Sequence, residues 1–211
     1  MQIDIVFGLV ILIISVILHE VSHGYMANFL GDPTARLAGR LTLNPISHID
    51  PFGSIILPLL LALTNSPILL GYAKPVPYNP YNLPGKYDEA LVAGAGPAVN
   101  IGLALIFGLL IRFFGTGMST QMLSALAAIV FINILLALFN LIPVPPLDGS
   151  KVLGGLLPGA LGGGYSSFRQ SFERLGVLSG TFLILLLFYL FAPYFYSLIA
   201  AVFTFITGVS L

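Results

Sequence analysis

Apolar residues run almost unbroken through several long stretches of the chain, and the polar residues between them gather in short groups rich in proline and glycine. From Ile5 to Leu18 every residue except Ser15 is apolar or glycine. Runs near or beyond about 18 apolar residues read as membrane spans. Residues 3–29 predict a first span, stopped by Gly31-Asp32-Pro33. Residues 89–111 and 121–141 predict two more, and 176–210, apolar around Pro193, predict a further pair. Residues 52–71 are apolar too, but Pro58 and Asn65-Ser66-Pro67 interrupt them, and Asp50-Pro51 has the form of a helix start. The mixed stretch 34–50 has room for short strands. Residues 162–176 carry a capping box from Ser167 to Gln170. There Phe168, Phe172 and Leu175 share a helical face opposite Arg169, Glu173 and Arg174, the pattern of a short helix lying in the membrane interface. The expected fold is an all-α polytopic membrane protein. It has about five to six transmembrane helices, a re-entrant segment and short strands near the polar groups of the first helix. No tandem repeat and no second soluble domain is visible, so residues 1–211 read as one domain with a core of about 5–155 and C-terminal helices over 176–210.

Composition sharpens this picture. The 211 residues are 57% hydrophobic and only 8% charged, against about 25% charged in a soluble domain. Net charge is zero, so nothing points to nucleic acid as a partner. With no cysteine, disulfides, thiolate zinc sites and cysteine nucleophiles are excluded. The N-terminus lacks a positively charged leader and a small-residue cleavage site, and reads as the first span.

The first span ends in "LHEVSHGY", residues 18–25. Ionisable groups inside a membrane segment are rare and read by default as functional. His19 and His23 are four apart and project from one helical face, a spacing that lets two imidazoles share one zinc ion with Glu20 beside it. A catalytic zinc keeps three protein ligands and an open position for water. It lowers that water's pKa and polarises a carbonyl, while a carboxylate such as Glu20 carries the proton. The 14 residues from Ile5 to His19 rise about 21 Å, which places the pair inside a hydrocarbon core about 30 Å thick. The third ligand is open on this reading: His48, Asp4, Asp32, Asp50, Asp88, Glu89, Asp148 and Glu173 are the choices. Asp148 stands out after Pro143, Pro145 and Pro146, although its spacing alone is that of an ordinary Asp-Gly turn.

Residues 18–31, "AGPAVN" at 95–100 and "FNLIPVPPLDG" at 139–149 resemble the site-2 proteases, intramembrane zinc metalloproteases. The resemblance covers about residues 5–155, and "GRLTLNPISHIDPFGSIILP" with "GYAKPVP" is similar to the compact branch of that family, without a PDZ or CBS domain. The resemblance implies zinc, one ion, held by His19, His23 and Asp148, with Glu20 as general base. It places Asn100 and Asn140 near the site, as candidate substrate-binding residues. It implies transmembrane protein substrates in the lipid bilayer and leaves the oligomeric state undetermined. Asn133 reads instead as polar glue between helices, and Gly94, Ala98 and Gly102 as a small-residue packing face. His48 and Asp50 read as interfacial, with support of the metal ligands as the alternative. "GYAKPVPYN", 71–79, is either a connecting loop or an edge strand whose prolines remove donors on one side, suited to pairing with an unwound substrate.

For Asp148 to reach the histidines, residues 52–71 must dip into the membrane and return. On that path Arg36, Arg40, Lys74, Lys86, Lys151, Arg169 and Arg174 lie on one side and only Arg112 on the other, which makes the first side cytoplasmic. The expected localisation is a multi-pass cell-membrane protein with its active site near the cytoplasmic face. The expected activity is zinc-dependent endopeptidase cleavage within or beside transmembrane segments. The rival is a non-catalytic membrane zinc protein or transporter; a transporter would need polar groups continuing across to the far side, and the first helix has none between Ile5 and Ile14.

Overall fold

A computed structural model describes residues 5–56, 63, 73–174 and 177–210. In lipid every backbone N–H and C=O must be satisfied within its own segment, so long apolar runs become helices. Helix α1, Ile5–Phe29, stops as the sequence predicts. Gly31 takes φ +111, the Gly31 N–H bonds Asn28 O at 3.3 Å, and the Asp32 N–H bonds Ala27 O at 2.9 Å. This crossed pair satisfies carbonyls that the helix end would otherwise leave bare. A short helix α2, Thr34–Leu37, follows, then a 3₁₀ turn over Pro45–His48 capped by Asn44. Asp50 does cap the turn of helix that follows, Pro51–Ile56; its Oδ1 accepts from the Phe52 and Gly53 N–H groups.

Helix α3, Asp88–Phe114, begins with two acidic residues at its positive end. Helix α4, Thr120–Asn140, is capped by Ser119. Helix α5, Asp148–Leu156, and helix α6, Gly159–Arg174, are short. Helix α7, Val177–Thr207, is one continuous helix through Pro193. Four helices among the described residues are long and apolar enough to cross a membrane, with spans at Val6–Phe29, Asp88–Gly117, Thr120–Asn140 and Tyr189–Thr207.

Several expectations change here. The C-terminal stretch makes one helix, not a pair of spans, because Pro193 has no turn residues beside it, and a lone proline is tolerated within a membrane helix. Among the described residues no strand forms. In 34–50 short helical turns form over Thr34–Leu37 and Pro45–His48 instead, and in 73–79 Pro75 and Pro77 have no donors to give to a ladder. Ser167 is no cap: α6 starts eight residues earlier, just past Pro158, and the Ser167 hydroxyl donates to Gly163 O one turn back. Most of the expected re-entrant segment 52–71, residues 57–62 and 64–71, lies outside the described residues.

The core is where α3, α4 and α7 meet, at Ala104, Ile111, Val130, Ile134, Ile199 and Phe203. Gly108 lets α7 close on α3, since a Cβ there would meet Ile206 Cγ2. Helix α1 lies antiparallel to α3: His23 bonds Val92 at the start of α3, and Ser15 lies by Asn100 further along. The chain also returns on itself. Asp32, past the end of α1, bonds Asn79 and Asn82, and the Lys74 N–H donates to His48 O at 2.9 Å. Residues 48 and 74 therefore stand side by side at the α1 end that carries the histidines.

Candidate metal centre

His19 and His23 stack one turn apart on α1, their rings edge to face with centroids 4.7 Å apart. Asp148 opens α5 opposite them. The turn that delivers it is tight: Ser150 donates from both its N–H and its hydroxyl to Leu147 O. A Cβ on Gly149 would collide with the Leu141 carbonyl and lie 2.6 Å from Ile142 O, so only glycine fits after the aspartate. The Tyr165 hydroxyl of α6 donates to Pro143 O at 2.9 Å, and Arg169 pairs with Glu89 at 3.0 Å. These contacts fasten the proline-rich turn to α6, and α6 to the start of α3.

Asp148 Oδ2 lies 3.0 Å from His19 Nε2 and 3.3 Å from His23 Nε2. Ligands about 2.0–2.1 Å from a tetrahedral zinc stand about 3.3–3.4 Å from one another, so the carboxylate is near that spacing from both imidazoles, and the three ligand atoms lie within 4.8 Å of one another. Their chemistry agrees. The Nδ1 of His23 lies 2.7 Å from Val92 O, a carbonyl that can only accept, so Nδ1 carries the hydrogen. The Nδ1 of His19 lies 2.6 Å from Asn100 Oδ1 and likewise donates. In the neutral imidazoles both Nε2 atoms are then lone pairs, and they face a carboxylate. Three electron-rich atoms converging in a largely buried place are a group that could hold a metal ion. His19, His23 and Asp148 form the one cluster of this kind found among the described residues.

Around this cluster runs a buried amide relay. Asn100 Nδ2 donates to Asn133 Oδ1 at 2.8 Å. Asn133 Nδ2 donates to Ser15 Oγ at 3.0 Å and to Ile129 O at 2.9 Å. Asn100 and Asn133 are completely buried. Asn100, expected at the substrate, thus has its carboxamide turned to His19 and Asn133; Asn133, expected as glue alone, completes the chain. Asn140 bonds back to Leu136 O in its own helix and is not joined to the cluster. His48 is buried elsewhere, donating from Nε2 to Thr42 O. Asp32 is buried with its own donors.

Two features escaped the sequence reading. Gly96 is the floor of the cluster: a Cβ there would sit 2.6 Å from His23 Nε2 and 2.7 Å from His19 Nε2. The expected packing face of Gly94, Ala98 and Gly102 is loose by contrast, with open space at Gly102. The signal was present in "AGP", where Pro97 withholds the N–H that Ala93 O would accept, yet nothing in the pattern said which glycine faces α1. The other missed feature is Val76, whose N–H donates to Glu20 Oε2 at 3.1 Å.

Residues 116–187 match Peptidase family M50. The chain is 41% identical over 156 residues to the provisionally named zinc metalloprotease YwhC of Bacillus subtilis, covering 70% of this chain and 67% of that protein. It is 32% identical over 141 residues to the provisionally named zinc metalloprotease Rip2 of Mycolicibacterium smegmatis, covering 67% of this chain and 53% of the relative. The chain thus spans about half the length of the mycobacterial relative. A 66-residue stretch is 38% identical to the provisionally named zinc metalloprotease MJ0611 of Methanocaldococcus jannaschii, covering 31% of this chain and 34% of that protein. No solved structure matches the chain.

Proposed function

Because the chain belongs to peptidase family M50, the site-2 proteases, we propose that it is an intramembrane zinc endopeptidase cutting within or beside transmembrane segments of other proteins. One observation carries this reading: the two Nε2 lone pairs and the Asp148 carboxylate converge at zinc-ligand spacing, with both Nδ1 hydrogens committed elsewhere. His19, His23 and Asp148 would hold one zinc ion. Bound there, zinc supplies a Lewis acid that activates water and polarises a peptide carbonyl.

The protein's own part is proton traffic and positioning. Glu20, next to His19 but not in the ligand cluster, takes the water's proton on its carboxylate and gives it to the leaving amine nitrogen. Asn100 holds His19, and Asn140, at the end of α4, is left as the residue to meet the substrate backbone. A helical substrate hides its carbonyls in its own ladder, so it must unwind locally, and Gly, Pro or Asn near the cut eases this. The bond between His48 and Lys74 supports residues 52–71 entering and leaving on one side, and the charge distribution supports that side being cytoplasmic.

The test is a comparison of purified wild type, Glu20→Gln and Asp148→Asn for zinc content and for cleavage of a labelled transmembrane peptide. Glu20→Gln is expected to keep its zinc and lose turnover, and Asp148→Asn to lose zinc. Substantial turnover by Glu20→Gln, or full zinc in Asp148→Asn, sinks the assignment.

A further inference from the structure

We infer that residues 73–79 form a fixed strap that positions Glu20, with Val76, Gly24 and Asp32 as positioning residues. This rests on the proposed role of Glu20 as proton carrier. Lys74 and Val76 each precede a proline, which biases both towards extended backbone. Pro75 and Pro77 have no N–H, so the Val76 amide is the single donor between them, and it is the one aimed at Glu20 Oε2. A donor on an ionised carboxylate makes a short, strong bond, and it removes the rotational freedom of a flexible side chain.

The side chain of Val76 docks on the same helix one turn further along. It is 5% exposed. A Cβ built on Gly24 would sit 2.6 Å from Val76 Cγ1, 2.7 Å from Leu41 Cδ2 and 3.1 Å from Ala35 Cβ. Gly24 is therefore a notch that receives Val76, and Glu20 and Gly24, at i and i+4, share a helical face. Backbone and side chain of one residue thus grip α1 at neighbouring points.

Both ends of the strap are anchored. At one end the Lys74 N–H donates to His48 O, and Arg40 Nη2 donates to Lys74 O at 2.9 Å. At the other, the Asn79 N–H donates to Asp32 Oδ2 at 2.6 Å. The other Asp32 oxygen accepts from Thr34 N–H, the Thr34 hydroxyl and Asn82 Nδ2, so this fully buried carboxylate is saturated with donors. Lys151, on the helix that Asp148 opens, lies over the Tyr78 ring at 5.1 Å. The strap thus joins the helix of Glu20 to the helix of Asp148.

Two experiments on the full chain, with its zinc content measured each time, test this. The first compares Gly24→Ala, Val76→Ala and the double variant on the same labelled transmembrane peptide. Gly24→Ala lifts Val76 from its notch and is expected to lower kcat roughly tenfold, the scale of one lost hydrogen bond to a charged group, with KM little changed and zinc retained. Val76→Ala in that background removes the obstructing Cγ atoms and keeps the N–H; the closest remaining contact, Leu41 Cδ2, is the end of a flexible side chain that can turn aside, so kcat is expected to be restored. If the double variant stays as impaired as Gly24→Ala, or zinc falls in step with kcat, the inference is overturned. The second experiment places cysteines at 24 and 76 of this cysteine-free chain and confirms by mass that they have joined. A positioning strap stays closed through turnover, so the oxidised protein is expected to match its reduced form. Activity that disappears on oxidation and returns with reductant would make the strap a lid. Glu20→Gln in the wild-type background separates these failures from failure of the assigned base.

Discussion

Asn133 donates its Nδ2 hydrogen to the carbonyl of Ile129 at 2.9 Å, and that bond fixes the chemistry of His19 two helices away. A carbonyl only accepts, so the amide of Asn133 has one allowed orientation, with Oδ1 towards Asn100. Asn100 must then present Nδ2 to Asn133 and Oδ1 to His19. His19 in turn must carry its hydrogen on Nδ1, which in the neutral imidazole leaves Nε2 as a lone pair facing Asp148. Asn133→Leu is therefore expected to weaken zinc binding by about 10–100-fold, the usual cost of losing a group that orients a metal ligand. Ser15→Ala, which leaves Asn133 its bond to Ile129, is expected to do less. Chelator competition on the purified protein measures this, and equal zinc affinity in Asn133→Leu and wild type would reduce Asn133 to helix glue.

Gly96 and Gly102 lie on the same helix and make opposite predictions. A methyl at 96 would stand 2.6–2.7 Å from the Nε2 atoms of both histidines, while a methyl at 102 meets nothing within 4 Å. Gly96→Ala is expected to displace the imidazoles and empty the zinc site. Gly102→Ala is expected to keep zinc and gain slightly in stability, since alanine is the better helix former by about 1 kcal/mol. Zinc content and thermal unfolding of the pair check both statements. A zinc-replete Gly96→Ala would mean that the imidazoles have room the structure does not give them.

Much of this site was legible in the sequence because its first half is local. His19, Glu20 and His23 sit at helical spacing in an apolar run, where charge needs a reason. Asp148 was not fixed by spacing, since it lies 129 residues from His19; the three prolines before it drew attention, but only the family resemblance set it apart from an ordinary Asp-Gly turn. The roles of Asn100 and Asn133 depend on which helices touch, and residue type alone cannot separate an amide that joins helices from one that orients a ligand. Val76 escaped notice because its contribution is a backbone N–H. The Pro-X-Pro pattern that isolates this donor is visible, but its target is 56 residues away. The single long helix through Pro193 shows the reverse limit: a proline read as a break is absorbed where lipid leaves the chain no alternative to helix.

Asp32 gives the end of α1 a pH dependence. Burial opposes ionisation of its carboxyl, but the bonds from Thr34, Asn82 and Asn79 outweigh it and hold the group below its ordinary range. A depressed pKa means that the ionised form belongs to the folded state. The stabilisation is therefore complete above the ordinary aspartate value of about 3.9 and is lost as pH falls through the folded-state value. Asp32→Asn, which is neutral at every pH, is expected to unfold at a lower temperature than wild type at pH 7. The gap is expected to narrow below about pH 4. A gap that stays constant down to pH 3 would show that the charge of Asp32 contributes nothing.

The chain between Asp32 and Asn79 is expected to make no net crossing of the membrane. These two residues are joined by a 2.6 Å bond, and His48 and Lys74, which flank residues 52–71 more closely, are joined at 2.9 Å. A single crossing would put the members of each pair on opposite sides. The charges lead to the same place independently. Arg36, Arg40, Lys74, Lys86, Lys151, Arg169 and Arg174 fall at the end of the bundle where α1 finishes and α3 begins. Arg112 is at the other end, donating to Phe205 O near the close of α7. Basic residues concentrate on the cytoplasmic side, so that end is expected to face the cytoplasm and the N-terminus to face out. Single cysteines at positions 37, 81, 116 and 164 read this out with an impermeant thiol reagent. Position 116, between α3 and α4, should react in intact cells, while 37, 81 and 164 should react only once the cells are opened. Reaction at 81 without reaction at 37 in intact cells would make 52–71 a true span, break the bond between Asp32 and Asn79, and carry Asp148 to the wrong side for His19 and His23.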